Sequence, residues 1–431
     1  MDTDIAAQWP DRWPPPGFVP VPSLVAGIEV YAPAPEQAHE QSRSFRCSQC
    51  GGTIQFDPGQ QRLTCPFCGA AQDLDVQRVG RAAEQSEFTL EAMSRAPSGW
   101  GAARREIVCE ACGAAVAVAP EALTTECAFC GSQRVLARDV APERLRPMAL
   151  IPFAVQPGEM RTRVAEWLSR GWMHPPELRH VRAVRDLVGI YLPYWTFSVR
   201  VRARWRAEVG IEHTERYRAG GQWHTRRVIR WYPRSGRVEL SVEDHLVPGT
   251  ERVSRVLLAR LAPFDIGGLV EYHPGVLAGW QAKSYDLDLP GAWERAKVEI
   301  REQAKRACMA DIGAHYVRSF EMTADFADER WRYVLLPVYL ATYRFGERTY
   351  QVAMNGQTGR VAGQKPVAWA RVWAAIAAAL APGVLVMLIG LLTLAAGGIG
   401  ALGLLVGFML FGAGLACAWI IFRKAQDAER I

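Results

Sequence analysis

Four copies of one short pattern, Cys-x-x-Cys-Gly, fill the stretch from Cys47 to Cys130: Cys47/Cys50, Cys65/Cys68, Cys109/Cys112 and Cys127/Cys130. Fourteen residues separate the first two pairs and fourteen the last two, and each cysteine of the second unit stands 62 positions after its counterpart. This is a duplicated four-cysteine zinc site. A tetrahedral zinc ion takes four thiolates at about 2.3 Å, and two Cys-x-x-Cys turns supply two ligands each. The glycine after each pair allows a left-handed turn that aims backbone amides at the sulfurs. Disulfides would need an oxidising compartment, and Asp2 and Asp4 with no apolar run after them are unlike an export signal. Iron takes the same ligands, but zinc is the commoner occupant of paired ribbons. The expectation is two zinc ions, one on Cys47, Cys50, Cys65 and Cys68, the other on Cys109, Cys112, Cys127 and Cys130. Four protein ligands leave no open position for substrate, so each ion would fold a module too short for its own core, at roughly 10–16 kcal/mol.

The 431 residues have room for two to four domains. Residues 1–46 read as a disordered, proline-rich tail, 47–75 as the first zinc ribbon, 76–105 as a linker with a short helix, and 106–140 as the second ribbon. Strands are expected at Thr53–Phe56, Gln61–Thr64, Ala114–Ala119 and Leu123–Glu126. Residues 145–365 read as an α+β domain, with amphipathic helices near 158–170 and 291–309. Cys308 falls on the apolar face of the second of these, as a core residue. Eleven of the fifteen tryptophans lie between residues 167 and 373, which predicts an aromatic core there. The fold class is therefore multidomain: two small β zinc ribbons, an α+β middle domain and a C-terminal transmembrane α-helical hairpin.

The hairpin follows from charge. Between Arg371 and Arg423 lie 51 residues without a charged side chain. One helix of that length would run roughly 76 Å against a hydrocarbon core of about 30 Å, so two spans are expected within residues 371–422. Arg371, Arg423 and Lys424 flank the outer ends, which by the positive-inside rule puts both chain termini, including a tail at 423–431, in the cytoplasm of a multi-pass inner-membrane protein. Gly403-x-x-x-Gly407 and Gly414-x-x-x-Ala418 supply small-residue faces, for the other helix or for self-association.

The net charge of +6 is unevenly placed, for residues 182–237 hold thirteen arginines and four acids. Arg200, Arg202, Arg204 and Arg206 alternate with Val199, Val201, Ala203 and Trp205, which at strand period puts four guanidiniums on one face. That face is read as solvated, as an edge strand guarded by charge, as a contact for anionic lipid, or as a nucleic-acid surface with Tyr217, Trp223 and Trp231 as stacking partners. The ribbons themselves carry few basic residues, which favours a protein partner over nucleic acid there. No His-Glu-x-x-His, Gly-x-Ser-x-Gly or phosphate-loop motif occurs, so no enzyme is expected.

The chain resembles a family of bacterial membrane-anchored zinc-ribbon proteins. The resemblance rests on Cys-Pro-Phe-Cys-Gly at 65–69, Cys-Ala-Phe-Cys-Gly-Ser at 127–132, Leu150-Ile151-Pro152-Phe153, Leu192-Pro193-Tyr194-Trp195, Leu277-Ala278-Gly279-Trp280, Leu335–Tyr339 and Met354–Gly359, and covers roughly residues 105–422. Such proteins are labelled TFIIB-type zinc-ribbon-like or primosomal-helicase-like, though no nucleotide motif stands here. The resemblance implies a link to membrane-stress systems with phage-shock-type and SPFH-type partners. The function expected is a non-enzymatic, cytoplasm-facing adaptor that recruits a protein partner to the bilayer. The rival is a membrane-tethered nucleic-acid binder acting through residues 200–237, which predicts salt-sensitive binding.

Overall fold

The computed structural model describes residues 18–21, 30–33, 45–89, 96, 99–100, 104–118, 127–130, 132–139, 144–180, 187–395 and 400–429. Residues 1–44 form one unit and 45–431 a second. In the first, β1 (Phe18–Val21) pairs antiparallel with β2 (Val30–Pro33), Phe18 opposite Pro33. Local strand pairing thus occurs where proline density alone predicts an extended tail.

In the second unit, β3 (Gln55–Asp57), β4 (Arg62–Thr64) and β5 (Ala71–Gln72) make a small antiparallel sheet under the first cysteine cluster. The described part of the next segment, before residue 90, holds a 3-10 turn at Gly80–Ala82 and β6 (Ser86–Glu87), which pairs with Trp331 and Arg330. The physical reason is tertiary. The buried Arg332 side chain donates to the Ala83 carbonyl and pairs with Asp244, while the Trp331 indole donates to the Glu87 carbonyl at 3.1 Å. The remainder of the expected helix falls largely on 90–95, outside the described residues.

The second ribbon is built from β7 (Arg105–Cys109), β8 (Ala115–Val118) and β9 (Val135–Asp139), with β7 between the other two. The strand expected at 123–126 lies outside the described residues. These three strands belong to a twelve-stranded mixed sheet with β10 (Ala149–Leu150), β11 (Val188–Ala219), β12 (Gln222–Pro248), β13 (Val270–Glu271), β14 (Gln281–Lys283), β15 (Tyr316–Phe345), β16 (Arg348–Asn355) and β17 (Val361–Gly363), with β6 at its margin. The join is β8 against β14, Ala117 opposite Ala282. Alternating apolar positions in β11 and β15 face a common core, and Trp195, Trp331, Tyr191 and Tyr333 are its largest fully buried aromatic side chains.

Helix α1 (Pro157–Ser169) buries Met160, Val164 and Leu168, as the spacing predicts. After α2 (Arg255–Leu261) comes α3 (Leu289–Ile312), capped by the Asp288 carboxylate on the Gly291 amide and ended by Gly313 at φ +59°. Trp293, Ala296, Ile300, Ala304 and Cys308 are buried on one side of α3. It packs over β11, β12 and β15, with the Trp205 indole donating to Asp311 at 2.9 Å.

Two apolar helices close the chain, α4 (Trp369–Ala395) and α5 (Gly400–Glu429), each long and apolar enough to cross a membrane. At about 1.5 Å per residue they run roughly 40 and 45 Å. Leu385, Leu392, Phe408, Met409 and Trp419 are exposed, unlike the side chains of a core helix. The helices are antiparallel neighbours, since Gly383 abuts Phe411, Gly390 abuts Leu404, Gly407 abuts Met387 and Gly414 abuts Ala379. Gly407, Gly414 and Ala418 are buried, so the small-residue face predicted from sequence is turned toward α4. Cys417 is exposed and fills no gap between the helices. Helix α5 continues past residue 422 because its last turns dock on the domain: Ala425 is buried and Glu429 accepts from the Val367 amide and the Trp369 indole, each at 3.3 Å.

Candidate metal centres and basic surfaces

Each cysteine quartet gathers as the spacing requires. Cys47 and Cys68 sulfurs lie 3.5 Å apart, as do Cys50 and Cys65. In the second quartet Cys109 and Cys130 are 3.6 Å apart and Cys112 and Cys127 3.7 Å. Sulfurs at the corners of a tetrahedron with about 2.3 Å bonds stand about 3.8 Å apart, so each cluster could hold one metal ion, consistent with zinc. The turns are made alike. Gly51, Gly69 and Gly113 sit at φ +72°, +75° and +69°, each donating its amide to the carbonyl of the first cysteine of its pair. The fourth such glycine, at 131, is outside the described residues.

The amides that turn inward act on the thiols. The Cys68 amide holds the Cys65 thiol down to about 7 against its burial. Burial pushes the Cys109 thiol up, but the Cys112 and Ala111 amides outweigh it and bring it to about 7. The other thiols are pushed the opposite way: burial raises Cys127 and Cys130, and neighbouring sulfurs outweigh the backbone amides at Cys50 and Cys68.

The two quartets differ in surroundings. In the first, Cys50 and Cys68 are exposed; in the second, Cys112 and Cys130 are partly covered. Phe67, between the cysteines of the second knuckle, is 76% exposed, and its ring lies across Gly52. Its counterpart Phe129 is 4% exposed and packs in the core with Val116, Val338 and Ala353, while Gln351 donates to its carbonyl at 3.1 Å. The first ribbon is held instead by its hairpin. The Phe56 amide donates to the Ala278 carbonyl, the Trp280 indole to the Phe56 carbonyl, both at 3.0 Å, and Gln61 to the Phe153 carbonyl at 2.9 Å.

These contacts explain most of the recurrent short motifs. Phe153 stacks on Trp280 with ring centroids 4.0 Å apart and meets Tyr191 and Tyr339 edge-on or tilted. A Cβ on Gly356 would sit 2.5 Å from the Phe153 ring, and Gly356 donates to Pro337. Asn355 holds the next turn, accepting from Gln357 and Thr358 and donating to the Leu261 carbonyl. Leu192 lies opposite Leu336 across one antiparallel ladder, so the Leu-Pro-Tyr-Trp and Leu-Pro-Val-Tyr echoes are neighbours. Sequence reasoning missed that Phe153, Tyr191, Trp280 and Tyr339 pack in one core cluster while Leu192 and Leu336 pack in a second; only the shared aromatic and glycine content of the motifs hinted at it.

Arg200, Arg202, Arg204 and Arg206 are exposed on one face of β11 and Val199, Val201, Ala203 and Trp205 are buried on the other. The strand is not an edge, because β12 and β15 flank it throughout this stretch. Charges from those neighbours meet the row: Arg200 pairs with Asp328 at 3.0 Å, Arg202 with Glu239 at 3.5 Å and Arg204 with Asp325 at 3.0 Å. Arg206 makes no ion pair among the described residues. Tyr217 and Trp223 lie farther out on the same hairpin, and the Arg318 guanidinium covers Trp231 at 4.2 Å.

Buried charges in the domain are structural in their contacts. Lys283 is enclosed and donates to Asp286 at 2.7 Å, and Ser284 donates to the buried Glu106 of β7 at 3.0 Å. Burial lowers Arg332, and it lowers Lys365 to about 8; the latter donates to the Trp167 and Arg170 carbonyls at the end of α1.

No family model and no solved structure matches this chain. It is similar to a Bacillus subtilis protein described as the uncharacterized protein YdjG, 26% identical over 337 residues, which is 76% of this chain and 92% of that protein.

Proposed function

We propose that this chain is a membrane-anchored zinc-ribbon adaptor that brings a protein partner to the cytoplasmic face of the bilayer, with zinc in both cysteine clusters. The observation that carries the reading is the contrast between the two knuckles. In the second copy the Phe129 knuckle is packed into the chain's own core, which supports the reading of this motif as a contact element. In the first copy the same knuckle points outward with Phe67 uncovered, while the ribbon is already fixed through its hairpin. An exposed aromatic on a rigid metal-braced turn is the kind of anchor that interfaces use. The apolar helices would hold this surface at the membrane, and Arg371, Arg423 and Lys424 favour a cytoplasmic location for both their outer ends. The buried ionisable groups described above are engaged in tying elements together, which fits a scaffold.

The test is purification in mild detergent from the native host, with and without nuclease, beside a Phe67→Ala variant that retains its metal. A partner that survives nuclease with the native chain and is lost with Phe67→Ala is the expected result. Identical partners in both, or loss of every protein on nuclease treatment, would overturn the reading.

A further inference from the structure

Strands β11 and β12 outrun the rest of the sheet. β15 stops pairing at Tyr316, opposite Gly210, whereas β11 and β12 stay paired from Ile211 opposite Arg230 to Ala219 opposite Gln222. Gly220 and Gly221, at φ +60° and +84°, close the turn. The result is a two-stranded arm reaching roughly 30 Å beyond the third strand, at about 3.3 Å per residue.

Residues 211–234 hold six arginines and two glutamates, a net charge of +4, with no lysine. Glu215 is shared by Arg226 and Arg230 at 3.2 and 3.0 Å, and Glu212 lies 3.9 Å from Arg227. Arg216 and Arg218 make no ion pair among the described residues. Register places Arg218 across from Trp223 and Arg216 across from Thr225, so two free guanidiniums share a face with an indole that is 70% exposed. The opposite face carries Tyr217 and His224, ring centroids 5.6 Å apart, with the Arg226 guanidinium 5.5 Å from the Tyr217 ring.

We infer that the Trp223 face of this arm binds single-stranded nucleic acid, stacking a base on Trp223 and receiving phosphates on Arg216 and Arg218. Exposed π faces interleaved with guanidiniums are the two components such binding needs. The chain's own bilayer fits less well. The arm leaves the sheet at the Tyr316 end of β15, while the Tyr343 hydroxyl near the other end donates to Gln364, just before α4. Insertion of the tip would also carry the cross-strand Arg–Glu pairs into hydrocarbon. The inference goes beyond the adaptor reading and does not depend on it. It also moves the basic contact away from Arg200–Arg206, where neighbouring acids answer three of the four charges.

The experiment is fluorescence anisotropy of a labelled 20-nucleotide oligothymidylate with the full chain in detergent. Trp223→Ala and the double variant Arg216→Gln/Arg218→Gln should each weaken binding about tenfold, and Trp223→Phe should restore it to within about threefold. The double variant should reduce the log–log salt slope by about 1.4, for two lost phosphate contacts on a single strand. Replacing Arg200, Arg202, Arg204 and Arg206 together by Gln should leave affinity within about twofold. No binding by the native chain, equal binding by Trp223→Ala, or displacement of the oligonucleotide by anionic phosphatidylglycerol vesicles at equal phosphate would overturn the inference, the last in favour of lipid.

Discussion

Phe67 and Phe129 stand at the same place in two copies of one motif, 62 residues apart, yet one ring faces solvent and the other lies inside the core. The difference divides their energetics. Phe129→Ala should cost about 3–5 kcal/mol, the usual price of emptying a core site of a phenyl ring, whereas Phe67→Ala should stay within about 0.5 kcal/mol. Denaturant titration of the detergent-solubilised chain checks this, and equal losses would mean that the two knuckles are not differently placed.

Metal content follows from the same asymmetry. The full chain should carry two metal equivalents by elemental analysis. Its first cluster, with Cys50 and Cys68 exposed, should yield its ion to a chelator faster than the second. A Cys47→Ser/Cys50→Ser variant should lose the fast phase and keep one equivalent. Release in a single phase that this variant leaves unchanged would contradict the assignment. The second ribbon should not be tested in isolation, because cutting it from β14 exposes β8 as a bare edge.

The ion pair between Arg332 and Asp244 is enclosed, and Arg332 also donates to Thr196 and to the carbonyls of Arg81 and Ala83. Asp244→Ala leaves that guanidinium without its carboxylate and should destabilise the domain by about 3–5 kcal/mol. Hydrogen exchange at residues 80–88 should rise with it. Unchanged exchange there would show that the segment is held by β6 pairing alone.

Acid should loosen the junction below α4. Burial lowers His174, whose Nδ1–H donates to the Pro366 carbonyl, with Lys365 beside it and Arg371 donating to its carbonyl. A folded pKa below the unfolded value of about 6.5 means that the unfolded chain binds the proton more readily. The contribution is therefore complete above about pH 6.5 and declines as pH falls toward the folded value. Amides of residues 171–176 should exchange faster at pH 5.5 than at 7.5 after correction for intrinsic rates. His174→Gln should flatten the difference.

What could be read in advance is what depends on period and spacing. The quartets were visible because metal chemistry dictates ligand number and interval, and α1 and α3 because Met160–Leu168 and Trp293–Cys308 repeat at helical spacing. The inward and outward alternation around Arg200 was equally plain. Non-local partners were hidden. Nothing near Arg105 announces that β7 and β8 continue a sheet through Ala282, and nothing near Ala83 reveals that Arg332 waits for the Arg81 and Ala83 carbonyls. Strand order depends on loop closures across a hundred or more residues, and those leave no periodic trace. The row at Arg200–Arg206 shows the same limit, because its neutralising acids come from Glu239, Asp325 and Asp328.

The continuity of β11 has a mechanical consequence. One unbroken strand runs from Ile190, where it lies beside Gln281 of the strand that carries the second ribbon, to the arm tip at Ala219. Force applied at that tip along the strand is borne in shear by many hydrogen bonds at once, first against β12 and then against β15, whose far end is tied through Tyr343 to Gln364, just before the C-terminal apolar helices. Shear spread over such a ladder resists separation far better than peeling from one end. One hydrogen-bonded ladder thus links the outermost hairpin to the region just before the C-terminal apolar helices.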